Sequence, residues 1–208
     1  MVTTHGVKLG AKAARLLARL GCTGIRSGLT EQELTGIEAR FGFAFADDHR
    51  AFLAVGLPTG GGWPDWRHGG AAQLRSWLDR PVEDVIFAVV EADFWHPSWG
   101  TRPARRTDAV ARARAHLASV PQLVPVYSHR YLPAGRATFA HPVLSIRGAD
   151  IISYGYDLID YVRGEFGGPQ DRNDEERQVV DATAAFWADY LSWSNQEGQE
   201  DHARSDGP

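Results

Sequence analysis

The sequence predicts an α+β domain, a mainly antiparallel sheet flanked by helices. Three observations carry that expectation. Apolar residues recur at helical spacing through the N-terminal part of the chain, short apolar runs collect between Leu123 and Tyr156, and two of those runs flank Gly148-Ala149, a pair suited to a tight hairpin turn. Helices gathered around a few adjacent strands form separate layers, unlike the strict alternation of parallel βαβ units.

Leu9, Ala13, Leu16, Leu17 and Leu20 make the stripe of a first helix, with Gly21 as its stop. Thr30 and Glu33 have capping-box spacing ahead of Leu34, Ile37 and Phe41, and Gly42 ends that second helix. A third, short helix starts at Asp47 or Asp48, buries Phe52 and Leu53, and stops at Gly56 before Pro58. Residues 71–78 read as helical, with Leu74, Trp77 and Leu78 on one side. Val85 to Val90 is an apolar run rich in β-branched residues, best read as a buried strand, although such short runs also suit a helix. Residues 107–119 have Val110, Ala113 and Leu117 at helical spacing before Pro121.

Leu123 to Tyr127 reads as a strand, and Pro125 inside it cannot donate to a ladder, which implies an edge or a bulge. Val143 to Arg147 and Ile151 to Tyr156 form the hairpin arms, with Ile152, Tyr154 and Tyr156 on one face. Leu158 to Phe166 is a short helix. Beyond a turn-rich stretch, residues 174–193 carry Val180, Ala184, Trp187 and Leu191 in one row, a face expected to pack back on the domain. Residues 195–208 are polar and expected to be disordered, so a single domain spans 1–194.

At 208 residues, with 43% hydrophobic and 23% charged side chains, the chain suits one soluble globular domain. A net charge of -4 argues against nucleic acid as a partner, because phosphate contacts need a basic surface. No apolar run approaches the roughly 20 residues of a membrane span. Lys8 and Lys12, the only lysines, lie with Arg15 in an amphipathic pattern unlike a signal peptide. Cys22 is the only cysteine, which excludes an internal disulfide and points to a reducing, cytoplasmic location.

No nucleophile elbow, phosphate loop, dinucleotide fingerprint or zinc-protease helix is present, so no catalytic residue and no cofactor is expected. Cys22 reads as a small buried hydrophobe rather than a nucleophile. His96, His129 and His141, with a carboxylate such as Asp93, have the donor chemistry of a zinc site, and a metal-dependent hydrolase is the catalytic alternative. Their spacing lacks the close repeat of a metal motif, so no metal is expected.

The aromatic loops stand out more. Trp63 and Trp66 lie in Gly62-Trp63-Pro64-Asp65-Trp66-Arg67, and Trp95 and Trp99 lie in Phe94-Trp95-His96-Pro97-Ser98-Trp99-Gly100. With Asp65, Arg67, His96, His129, Arg130 and Tyr131, they form the candidate partner-binding set, because Trp, Tyr and Arg dominate interface hot spots. The same residue types also pin loops to a core. Trp63 and Trp66, beside three glycines and Arg67, are the better candidates for contact, and Trp95 and Trp99 for clamps.

Residues 29–166 resemble the SUKH superfamily, which includes fungal cell-wall synthesis regulators and bacterial toxin-immunity proteins. The resemblance rests on Leu29-Thr30-Glu31, Ile37-Glu38, Phe41-Gly42-Phe43 and Phe52-Leu53. It extends to the two tryptophan segments, to Pro125 through Pro133, and to Ser153-Tyr154-Gly155-Tyr156-Asp157-Leu158. Ala46 departs from the pattern, which usually has proline there. The likeness implies an α+β fold without catalytic activity and a protein partner such as a cognate toxin, often a nuclease. A regulatory scaffold with a non-toxin partner is the remaining alternative.

Overall fold

A computed structural model describes residues 3–147 and 150–167. The Thr3 hydroxyl accepts the Gly6 amide and opens α1 (Thr4–Leu20), which ends at Gly21 in the left-handed region. A short strand β1 (Gly24–Ser27) follows. The Thr30/Glu33 capping box opens α2 (Glu31–Phe41), and left-handed Gly42 closes it. Helix α3 (Asp47–Val55) has no side-chain cap, but Ala46 at its entry has φ -57, the value a proline ring would fix. Ala46 therefore holds the turn without a proline ring.

Strand β2 (Gly56–Thr59) pairs antiparallel with β1, a small sheet the sequence did not signal. Its four-residue strands are too short for a visible alternation. Cys22 is exposed just beyond α1, which corrects its reading as a buried hydrophobe.

Helix α4 runs Ala71–Glu91, so the strand expected at 85–90 is instead its last turns. The physical reason lies in the spacing. Leu74, Leu78, Pro81, Val85, Ala88 and Val89 keep one buried face at steps of three and four, while Phe87 points to solvent. Helical periodicity across the whole segment outweighs the β-branched character of its end. A single 3₁₀ turn at Pro97–Trp99 leads to α5 (Arg106–Leu117).

The main sheet has β3 (Leu123–Tyr127), β4 (Arg130–Pro133), β5 (Val143–Arg147) and β6 (Asp150–Gly155), antiparallel in that order. Pro125 sits on edge strand β3 beside a register shift, as its missing donor requires. Strand β4, not foreseen, is the polar-looking Arg130–Pro133 segment. Helix α6 (Leu158–Phe166) begins at Asp157, whose carboxylate accepts the Ile159 and Asp160 amides.

Both faces of the sheet are covered. Val124, Val126, Leu132 and Val143 pack into a cluster with α1, α2, α3 and α6. Leu123, Tyr131, Leu144, Ile146 and Ile151 pack into another with α4 and α5. The architecture is therefore α+β with an antiparallel sheet flanked by helices. The expected C-terminal helix (174–193), the tail (195–208) and the Gly148-Ala149 turn lie outside the described residues.

The N-terminus of α3 is the polar hub of the first cluster. The Asp47 carboxylate accepts the Thr3 amide at 2.6 Å and the Ala137 amide at 3.2 Å, and Asp48 accepts the Ala140 amide at 2.9 Å. Together they strap the 134–140 loop across α3, holding Ala137 and Ala140 at φ 64 and 59. Glu38 adds a third tie by accepting the Phe45 amide and pairing with Arg136.

Candidate functional site

The 60–67 loop leaves β2 through Gly60 and Gly62, at φ 114 and 91. A Cβ on Gly62 would press into the Tyr127 ring, so the bare backbone lets the loop lie on the β3–β4 turn, where the Ser128 amide donates to the Gly62 carbonyl. Trp63 then drops into the first cluster, stacked on Phe166 at 5.4 Å and tilted on Tyr127 at 4.8 Å. Trp66 meets Phe41 and Phe45 edge-on and leans on Phe43. With 7% and 4% of their surface exposed, neither indole offers a face to a partner. Their reading as the better contact residues is corrected: both clamp the loop to the core, because large rings gain more from burial than from display.

Arg67 locks the same loop from outside. Its guanidinium donates to both Glu33 oxygens, at 2.5 and 3.1 Å, and to the Ser27 and Gly28 carbonyls. The Arg67 bonds, followed by the Thr30 amide, hold the Glu33 carboxyl down to about 2. Asp65 is exposed and turns back to accept the His68 amide.

The 94–100 loop belongs to the second cluster. Trp99 is buried, stacked parallel on His116 at 5.6 Å. His96, also buried, caps the 3₁₀ turn through Ser98. Trp95 is half-buried and donates from its indole nitrogen to the Gly100 carbonyl. Burial withdraws His96 and Trp99 from a contact role.

His129, Arg130 and Tyr131 diverge at the start of β4. Tyr131 is fully buried in the second cluster, and burial raises its hydroxyl to about 12. His129 is half-buried beside Ser128, and burial, then the charge of Arg130, lowers its imidazole. Arg130 turns to the first cluster with 6% exposed, donates to the Ser145 hydroxyl, pairs with Glu165 at 3.3 Å, and lies 3.6 Å over the Tyr154 ring. Arg130 and Tyr131 are thus corrected from contact candidates to interior groups.

The structure divides the ten candidate positions among three places. Trp63 connects to Arg130 through Phe166, Tyr161 and Tyr154. Trp66 packs on Phe41, Phe43 and Phe45, while Arg67, two residues past exposed Asp65, grips Glu33. Trp95, His96 and Trp99 stand together near α5 in the cluster that also takes Tyr131, and His129 sits beside Arg130 at the β3–β4 turn. Glu33, Glu38, Ser145, Tyr161 and Glu165 were missed. Only Glu33 had a sequence signal, its capping-box position, and that signal spoke for the helix rather than for Arg67. Among the described residues no three His, Cys, Asp or Glu side chains gather as a metal-ligand set, and His96, His129 and His141 stand apart. Nor is any described helix long and apolar enough to cross a membrane.

No family model, curated protein or solved structure matches the chain.

Proposed function

We propose that the chain is a non-catalytic protein-binding module of the SUKH immunity type, acting in the cytoplasm by covering a bacterial toxin domain. The resemblance over residues 29–166 supports the class of function. The observation that carries the reading is the build of the 60–68 loop. Two buried tryptophans beneath it and the four hydrogen bonds of Arg67 beside it fix its backbone. Asp65, Arg67 and His68 are then presented in one arrangement, which spares about 0.5–1.5 kcal/mol of ordering per side chain on binding. Neutralisation is steric: the loop face occupies the toxin surface and no bond is made or broken.

Co-expression with the toxin domain encoded beside it tests this reading, with restored growth as the expected result. Persistent killing together with no binding between the purified proteins overturns it. Within the complex, Asp65→Lys with His68→Ala weakens binding and leaves the thermal midpoint where it was.

A further inference from the structure

Helix α1 carries a charge pattern that neither the core nor the 60–68 loop uses. The first thirty residues hold five Lys or Arg and no Asp or Glu, which leaves 17 positive against 26 negative residues over the remainder. Four of those cations, Lys8, Lys12, Arg15 and Arg19, fall at steps of four, three and four, so they share one face of α1. All four are exposed, as is Arg26 on the following strand β1.

The rotation of α1 is fixed by its other face. Gly6, Gly10, Ala13, Ala14 and Leu17 are buried against α3 and α6, and a Cβ on Gly10 would collide with the Asp48 carbonyl. The helix backbone lies directly on α3, and the cations have no inward alternative.

None of the five pairs with a carboxylate among the described residues. Arg50, Arg67, Arg102, Arg106, Arg114, Arg130 and Arg136 all do. Like charges four apart on a helix oppose its formation, and Lys8 sits near the positive end of the helix dipole. A row of cations with no carboxylate partner among the described residues is thus held against its local electrostatics, and it is complementary to an anionic surface.

The flanks decide which anion. Val7, 42% exposed, adjoins Lys8, and on β1 Ile25, 37% exposed, lies against Gly56, next to exposed Val55. Cations edged by aliphatics suit a protein surface. Nucleic-acid readers stack bases on free aromatic faces beside their cations, and His5, the aromatic ring next to Lys8 on this face, is instead engaged with Phe139 at 5.6 Å. A membrane-surface helix needs a free apolar face to insert, and the apolar face of α1 is spent on α3 and α6. We propose that the outer face of α1, together with β1, docks a carboxylate-rich protein surface. At about 1.5 Å per residue the row spans roughly 16 Å, the length of three turns of an acidic helix laid alongside. The α1 cations lie outside the 60–68 loop, although β1 adjoins it where Arg67 donates to the Ser27 carbonyl, and the proposal holds whether or not the partner is a toxin.

The test uses the full chain and a fluorescein-labelled helical peptide with glutamate at successive i, i+4 positions. Anisotropy should show binding that weakens with added salt. The Lys8→Gln, Lys12→Gln, Arg15→Gln, Arg19→Gln variant should lose affinity by about tenfold or more, while Arg105→Gln with Arg112→Gln, at the N-cap and within α5, should not. A zero-length carbodiimide gives a readout that needs no variant: Lys8 and Lys12 are the only side-chain amines, and they should couple to the peptide's carboxylates but not to a glutamine analogue. Absent binding, absent coupling, or equal affinity in a folded quadruple variant overturns the proposal. Tighter binding of a DNA duplex or of phosphatidylserine vesicles than of the peptide overturns it as well.

Discussion

The two faces of the central sheet are covered by helices in similar ways, yet they put their charges in opposite places. On the side of α1, α3 and α6, Glu38, Asp47, Asp48, His49, Arg50 and Arg130 are buried and bonded to loops, strands and one another. On the side of α4 and α5, charge stays near the surface, in two interhelical pairs, Glu83 with Arg114 and Glu91 with Arg106, and a third pair, Asp93 with Arg102, in the segment that connects the helices. In the first arrangement Glu38, Asp47 and Asp48 tie irregular backbone, at Phe45 and along the 134–140 strap, to helices. The second joins two regular helices whose apolar contacts already define their packing. Arg50 and Arg130 join regular elements, but where buried carboxylates meet the irregular 134–140 backbone they select one loop conformation among many.

The largest expected contrast is between tryptophans. Trp66→Ala, which empties a site ringed by Phe41, Phe43 and Phe45, should cost about 3–5 kcal/mol. Trp95→Ala, half-buried with one hydrogen bond, should cost about 1 kcal/mol. Urea denaturation of both variants gives the comparison, and equal losses would erase the distinction between the two loops.

Next comes Glu38→Ala. It removes one of the two carboxylates that face Arg50, leaves the Phe45 amide without its acceptor and frees Arg136, and a loss of about 3 kcal/mol is expected. The figure lies at the low end for a broken buried pair because Arg50 keeps Glu31 at 2.6 Å. A loss below about 1 kcal/mol would mean that the strap is held by its backbone alone.

What the sequence made legible follows the same division. Periodic elements were readable: α1, α2, α3, α5 and the β5–β6 hairpin stand within a few residues of their predicted places, because apolar spacing and capping residues act locally. The run at 85–90 misled because β-branched residues argue for strand while the spacing that reaches back to Leu74 argues for helix. The site was poorly legible for a different reason. Whether Trp66 faces solvent or core depends on Phe41, Phe43 and Phe45, and whether Arg130 is buried depends on Glu165, thirty-five residues away. Composition names such residues as candidates for contact, and only tertiary packing assigns them a side.

A third prediction separates two neighbours in the buried hub. Burial pushes the Asp48 carboxyl up to about 6 from its ordinary 3.8, outweighing the Ala140 and His49 amides it accepts. Its proton is held more tightly in the folded state, so its contribution is fully present below the unfolded value and is lost as pH rises through 6. Burial pushes His49 down to about 3 from 6.5, so its contribution is present above 6.5 and fades as pH falls. Between about pH 7 and 4.5 the two have opposite slopes. Over that window Asp48→Asn should lose about 2 kcal/mol more stability than the parent chain, and His49→Gln about 2 kcal/mol less. His129 and His141, also lowered by burial, slope in the same sense in all three proteins and cancel in the differences. Glu33, held at about 2, acts below this range. Stability curves in denaturant across the range measure both signs, and matching slopes in the two variants would refute the assignment.

The smallest effect belongs to the interhelical pairs. Arg114 grips Glu83 with two bonds of 2.7 and 2.8 Å, and that hydrogen bonding lowers the Glu83 carboxyl. Their side chains are nevertheless 46% and 52% exposed, and water screens most of the attraction. Arg114→Ala should therefore cost only about 0.2–1 kcal/mol at low salt, and less near 1 M, where the screening length falls to about 3 Å. Arg130 and Arg114 each face one glutamate, and the second pair has the better geometry. If Arg114→Ala nonetheless cost as much as Glu38→Ala, placement in water or core would not be what separates the two faces, and bond geometry would take its place.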